Sequence, residues 1–401
     1  MSLSTADMAF RRELALGHIW MGDEIKANDV KLNLREVFMA EPRAPSSEEF
    51  PEVLNFLTAN LRQTQEWSLA DEYPLALTTA NLANVRMIKE NGRILSGAVV
   101  KNSFVKSPMG LMKIAGIGSV ATDPAHRNQG HSRAVLESTL DIAQRSACDI
   151  AVLWSNLHDF YRKLGFELAG SEVSLRLDKP FSPPAQDLRF AESNRIAPEA
   201  ILRIYSQHTC GTMRSLEDVR KSLQIPNMRV YTAWDSNQQL QAYAVEGKGA
   251  DLNGHIHEWG GAVSKLLPLL NHIVTEQKRP ITVIAPRHAR NLVRQLQESG
   301  AIMHEGVLGM IKIVNPDLLF AKLHRHARNL GIENFVIEQR SGVTHFGFAD
   351  NVYKTDSASD VVRLIFGPTQ ASELHSFDLE TSQALETLFP IPLWIWGWDS
   401  V

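Results

Sequence analysis

One stretch, residues 118–165, limits the folds open to this chain more than any other. It begins Gly118-Ser119-Val120-Ala121-Thr122-Asp123-Pro124-Ala125-His126-Arg127-Asn128-Gln129-Gly130-His131-Ser132. Ile114, Ile117 and Val120 predict a strand. Asp123-Pro124 ends it, because proline cannot continue a β-ladder. From Arg133 the spacing turns helical, with Val135, Leu136, Leu140, Ile142 and Ala143 on one face. Ile150 to Trp154 is a short apolar run of buried-strand type. The turn between strand and helix therefore presents backbone N–H groups at a helix start, where an anion is favoured. Gly130 has no side chain to keep a diphosphate at a distance.

This stretch resembles the Gcn5-related N-acetyltransferase (GNAT) superfamily. That family's acetyl-CoA motif is Arg/Gln-x-x-Gly-x-Gly/Ala at the same junction. Arg127 and Gly130 match it; Ser132 departs from Gly/Ala but is small. Tyr161-x-x-x-Gly165-Phe166 follows, as the family's second motif does. The resemblance implies acetyl-CoA as cosubstrate. Its diphosphate would be held by Arg127, Asn128, Gln129, Gly130, His131 and Ser132, and its pantetheine would lie beside Val120 and Thr122. Tyr161 matches the family's general acid. A phenol of pKa about 10 is protonated at neutral pH and can donate to a departing thiolate. The plain alternative is a βαβ unit with a glycine-tightened turn, a solvated Arg127 and a core Tyr161.

At 401 residues the chain has room for two or three domains. Hydrophobic residues make up 44% and charged residues 21%, an ordinary globular balance. A net charge of −4 gives no electrostatic case for a nucleic-acid partner. Cys148 and Cys210 are too few for a disulfide framework or a cysteine zinc site, and they suit a reducing cytoplasm. His255 and His257 share a face of a predicted strand, but no third ligand is spaced for them, so no metal is expected. No apolar run approaches the ~20 residues that span a bilayer. Leu14 to Met21 is too short, and too interrupted by His18, for a secretory leader. The expectation is a soluble cytoplasmic protein without a membrane partner; a homo-oligomer is compatible with it.

The fold class expected is α+β: tandem GNAT domains of mixed sheets flanked by helices, plus a small C-terminal α/β domain. Residues 1–30 read as an N-terminal arm and 31–180 as the catalytic GNAT domain. That domain carries a Val37-Phe38-Met39 strand and a hairpin turning at Asn91-Gly92. Val173, Leu175 and Leu177 alternate in its closing strand, before a Pro-rich linker at 179–184. Residues 185–315 repeat the element order, and Gly306 to Val314 closes that unit. At its own junction it reads Glu258-Trp259-Gly260-Gly261-Ala262, without the phosphate motif, which resembles a degenerate copy. Residues 316–401 resemble a shortened sterol-carrier-protein-like domain. The whole order resembles the enhanced-intracellular-survival family of acetyltransferases.

In GNAT enzymes an amine attacks the acetyl thioester directly in a ternary complex, so a base must take the amine's proton. The motif strand, Ala115-Gly116-Ile117-Gly118-Ser119, carries no carboxylate. His126 adjoins Arg127 and reads as solvent-facing. In the family resembled, the chain terminus enters the active site. That makes the Val401 carboxylate a candidate base, with His257 and Glu258 as alternatives. Trp394, Trp396 and Trp398 suggest a buried tail. The expected activity is acetyl transfer from acetyl-CoA to a small primary amine. A protein or peptide amine is an alternative acceptor. The rival of a different class is a non-catalytic acyl-CoA-binding regulatory module, against which an intact Tyr161 argues.

Overall fold

The computed structural model describes residues 40–62 and 66–401. The sequence readings on residues 1–30 and on Val37-Phe38-Met39 lie outside the described residues. In the first unit, α1 (Phe50–Leu61) and α2 (Leu69–Glu72) precede three antiparallel strands, β1 (Val85–Glu90), β2 (Arg93–Ser107) and β3 (Gly110–Thr122). Asn91 and Gly92 both take positive φ, as the hairpin between β1 and β2 requires. Then come α3 (His131–Arg145), β4 (Ile150–Leu153), α4 (His158–Arg162), β5 (Glu167–Ala169) and β6 (Glu172–Leu177).

The second unit holds β7 (Arg189–Glu192), α5 (Pro198–Tyr205), β8 (Gly211–Thr212), α6 (Leu216–Ser222), β9 (Arg229–Trp234), β10 (Leu240–Lys248) and β11 (Asp251–Gly261). It continues through α7 (Val263–Gln277), β12 (Ile281–Pro286), α8 (Arg290–Glu298), β13 (Ile302–Gly306) and β14 (Gly309–Ile313). The third segment has α9 (Pro316–Asn329), an antiparallel sheet of β15 (Phe335–Arg340), β16 (Val343–Phe348) and β17 (Asn351–Thr355), and α10 (Ala358–Phe366), α11 (Ala371–Leu374) and α12 (Leu379–Leu388). No helix among the described residues is long and apolar enough to cross a membrane.

The two large sheets exchange strands. The first runs β1-β2-β3-β4-β14-β5, with β8 attached to β2; the second runs β13-β6-β12-β11-β10-β9-β7. So β6, expected to close the first sheet, pairs with β12 and β13 of the second. The expected strand from Gly306 to Val314 is instead the end of β13 and all of β14, and β14 lies between β4 and β5 of the first sheet. The Pro-rich linker therefore joins two strands of one sheet, β6 and β7, rather than two sheets. Alternation at Val173, Leu175 and Leu177 specifies a strand with one buried face, but not which sheet buries it.

One further feature positions the site. β3 and β4 pair in parallel only from Ile114↔Ile150 to Gly116↔Val152. β3 then runs on to Thr122 against β2 alone, so the sheet opens as a wedge beyond Gly116. Leu136, Ile142 and Ala143 of α3 pack with Ala115 and Ile117 on one face of the first sheet. Phe50, Val53 and Leu57 of α1 pack with Val99 and Ala121 in a separate core.

Candidate active site

The anion loop forms as its sequence dictates. Asp123 receives the Ala125 N–H at 2.9 Å, fixing the turn that follows the strand. That backbone hydrogen bond, with His126 and Arg93 beside it, holds the Asp123 carboxyl below its ordinary range. His126 faces Asp123 at 3.5 Å and is half-buried beside the turn. Asn128 and Gly130 both take positive φ, at 60° and 87°. Gly130 is the N-cap of α3 and supplies no capping side chain. The first bond of the helix runs from the Ala134 N–H to the Gly130 carbonyl. The N–H groups of His131, Ser132 and Arg133 thus stand ahead of the ladder, at the positive end of the helix. Arg127, Asn128 and Gln129 are exposed around them. Such a loop fits a diphosphate.

Ser132 has a second role that its sequence position does not reveal. Its hydroxyl lies 2.6 Å from that of Thr122, which lies 2.9 Å from that of Ser96. The Ser96 hydroxyl donates to the Ala121 carbonyl. This chain ties the helix start to β3 and β2. Val120 is half-buried beside it. His131 is buried, and its Nδ1 has no hydrogen-bond partner.

Tyr161 lies on α4, 6% exposed, edge-on to Phe160 and Phe166. Burial raises its phenol above the ordinary value, and a hydrogen bond with Ser155 only partly opposes this. The phenol therefore stays protonated at neutral pH. It shares a core with Ala115 and Ile117, the residues flanking Gly116 on β3.

Val401 ends on the same strand. A Cβ on Gly116 would lie 3.0 Å from Val401 Cγ2, and one on Gly118 would lie 2.4 Å from the Val401 carboxyl carbon. The two glycines make the slot that the terminus fills. The loop and Val401 are thus both carried by β3, Val401 on the Gly116–Gly118 face and Tyr161 in the core of the opposite face.

The tail reaches that slot across the second unit. Trp394, Trp396 and Trp398 are all nearly inaccessible. Trp396 lies tilted against His208 at 4.2 Å between ring centres and meets Trp259 edge-on at 4.9 Å. Asp399 is bound by Arg214, at 2.6 and 3.0 Å, while Arg214 also makes paired hydrogen bonds to Glu258 at 2.8 and 2.9 Å. Burial alone would raise the Asp399 carboxyl; Arg214 and Lys101 outweigh it and hold it low. Lys101 of β2 stands 3.7 Å away. Lys248, 1% exposed at the end of β10, donates to the Gly397 and Ser400 carbonyls and to the Ser400 hydroxyl. Burial, then Lys101, lowers its ammonium to about 7.

The two alternative bases are buried in the second unit. Glu258 is committed to Arg214 and to the Tyr243 hydroxyl. His257 holds the Gly247 carbonyl at 2.9 Å, which puts its proton on Nε2. The register shifts between Val245/Glu246 and Glu258/Ile256, a bulge at His257. That bulge separates the environments of the two histidines: His257 is buried and His255 only half-buried. Among the described residues no group of three or more metal-ligating side chains is placed to hold a metal. Arg214, Lys248 and Lys101 escaped sequence reading, since isolated basic residues more often mark a solvated surface. Trp67 and Tyr73, on either side of α2, hydrogen-bond to Glu72 at 2.7 Å and to Asp251 at 2.6 Å, respectively.

Comparison with known proteins bears on the fold. Residues 41–169 match the family model of the acetyltransferase (GNAT) domain. The fold is similar to that of a probable N-acyltransferase from Enterococcus faecalis V583, at TM-score 0.63 and 15% identity over 88% of this chain and 97% of that one. A GCN5-related N-acetyltransferase from Anabaena variabilis is similar at TM-score 0.62 and 14% identity, over 90% and 100% of the two chains. Eis1 from Mycobacterium abscessus gives TM-score 0.59 and 12% identity, over 90% and 100%. At these identities the likeness speaks to fold. No curated protein sequence matches the chain.

Proposed function

We propose, from the premise that residues 41–169 are a GNAT acetyltransferase domain, that this protein moves an acetyl group from acetyl-CoA to a primary amine. The amine attacks the thioester directly, with both substrates bound. Acetyl-CoA supplies the activated acetyl group. The backbone of Arg127 to Ser132 binds its diphosphate, with Arg127 adding charge, and pantetheine lies along Val120 and Thr122. The Val401 carboxylate takes the proton of the attacking amine, and Tyr161 gives one to the departing thiolate.

The observation carrying this reading is Val401, its side chain against Gly116 and its carboxyl against Gly118, on the strand that leads into the anion loop. An α-carboxylate titrates near 3.5 in water, so it is ionised at neutral pH and attracts a substrate ammonium as well as accepting its proton. The acceptors to test are aminoglycoside-like polyamines, small metabolite amines, and lysine or N-terminal amines of proteins.

The experiment is thiol release from acetyl-CoA across that panel, with native-length protein and with protein carrying a short C-terminal extension. The reading expects release that depends on an amine and falls sharply in the extended chain. Release independent of any amine would defeat the transfer assignment. Full activity in the extended chain would remove Val401 from it.

A further inference from the structure

We infer that Lys248 and Arg214, residues of the unit that lacks the phosphate motif, are positioning residues that hold the Val401 carboxylate in the first unit's wedge. The inference rests on the reading of Val401 as the base. It gives the second unit a task in the reaction without any CoA of its own.

A chain terminus ordinarily frays. A catalytic group displaced by about 1 Å can lose on the order of a hundredfold in rate. The last residues must therefore be fixed, and the bonds that fix them are unusual in their destination. Lys248 makes contacts of 2.8, 2.7 and 2.9 Å, and all three acceptors lie in the last turn of the chain: Gly397 O, Ser400 O and Ser400 Oγ. An ammonium has three N–H donors, so the set is matched. The Ser400 carbonyl is one peptide from the carboxylate. The same turn is closed by the Asp399 N–H on the Trp396 carbonyl and by the Ser400 hydroxyl on the Gly397 carbonyl.

Arg214 fixes the turn from its other side. Its guanidinium is shared between Asp399 of the tail and Glu258 of β11, and it lies 3.8 Å over the Tyr205 ring. Glu258 thus anchors the guanidinium in the second sheet, and the guanidinium anchors the tail. β11 also sets the approach: a Cβ on Gly397 would lie within 1.8 Å of His257 Nδ1, so the tail touches β11 with no space between. A purely structural lysine would bind the strands around it; Lys248 spends its donors on a segment that contributes no strand to either sheet.

The test compares Lys248→Met in two backgrounds, the native-length chain and a chain extended by one glycine after Val401. In the native-length chain, kcat is expected to fall at least tenfold, with the Kd for CoA unchanged. In the extended chain the carboxylate has already left its slot, so Lys248→Met is expected to cost nothing more. An equal loss in both backgrounds would reduce Lys248 to a structural residue, and an unchanged kcat at native length would overturn its part outright. If Lys248→Met does not unfold cooperatively, Asp399→Asn is read by the same two-background rule. Asp399 lies beyond every strand and long helix, so its loss leaves the ladders intact. If the extended chain itself keeps full activity, it is the base reading that fails; a slow extended chain with a fast Lys248→Met sinks only the present inference.

Discussion

Gly118 of β3 lies directly under the carboxyl group of Val401: a Cβ there would stand 2.4 Å from the carboxyl carbon and 2.6 Å from its oxygen. Gly118 is not among the positive-φ glycines, so alanine fits its backbone without strain. What alanine cannot do is share the space. Gly118→Ala is therefore expected to lift the terminus while leaving β3 paired. Displacement of this size predicts a kcat loss on the order of a hundredfold, with thermal stability and CoA affinity nearly unchanged. Steady-state kinetics beside a melting curve decide it, and wild-type turnover in this variant would mean that the slot has no part in catalysis.

The anion loop is tested at Gly130, whose φ of 87° is left-handed. Any side chain there costs roughly 1–2 kcal/mol in backbone strain. A carboxylate adds a charge where the diphosphate belongs. Gly130→Ala serves as the strain control, and Gly130→Glu is expected to weaken CoA more than tenfold beyond it by calorimetry. Equal affinities for the two variants would move the phosphate site elsewhere.

The first half of the site was legible in the sequence because the chemistry is local. A strand stop at Pro124, a bare Gly130 and a helix start at His131 lie within a few residues, and each residue type states its own backbone need. The strand exchange was not legible, because β6 and β14 are ordinary alternating strands whose partners lie far off in sequence. The tail was half legible. Aromatic residues 394–398 announced burial, and the carboxylate-free motif strand left a place for Val401. Nothing in the local sequence of Arg214 or Lys248 marks a basic side chain that the tail will enclose. The C-terminal segment forms its own antiparallel sheet, β15–β17, with helices before and after it.

Tyr161→Phe removes one hydroxyl from a packed ring and should leave the fold and CoA binding intact. Loss of a general acid typically costs about a hundredfold in rate. Burial raises the phenol, so its deprotonation, and with it any loss of activity through this group, is displaced to higher pH than for a free phenol. A pH–rate profile should show a strongly alkaline limb in wild type and none in the variant. Wild-type turnover in Tyr161→Phe, with the chemical step rate-limiting, would leave the residue a packing role only.

Lys248 gives a pH dependence of stability with a definite sign. Its ammonium is lowered to about 7 in the folded chain against an ordinary value of 10.5. Between those values the unfolded chain binds the proton more tightly than the folded one, so stability rises with pH through the window and is lost as pH falls toward 7. The neutral amine keeps two donors, so the tail's anchor loosens without opening. Urea unfolding at pH 7 and pH 10 should show the stability of wild type minus that of Lys248→Met growing with pH. A difference that shrinks would mean the tail's oxygens hold the group charged.

The second unit should bind no CoA, and the reason is visible in two places. In the first unit, residues 123–130 separate β3 from α3 and form the anion loop; in the second, Ala262 alone separates β11 from α7, so the strand enters the helix with no loop to cradle phosphate. The wedge itself is also filled. β11 and β12 pair in parallel at His255↔Thr282 and Ile256↔Val283 and then part, as β3 and β4 do after Gly116. Across that opening the Trp259 indole donates to the Ile284 carbonyl at 3.0 Å, and Trp396 of the tail covers the indole. Pantetheine would need the space these rings occupy, and displacing them would expose buried aromatic surface and break the tail's path to the first unit. Titration calorimetry should therefore give one CoA per chain, and Gly130→Glu should abolish the whole of the binding signal. A second equivalent that survives Gly130→Glu would place a working cofactor groove in the second unit and overturn its reading as a scaffold for the terminus.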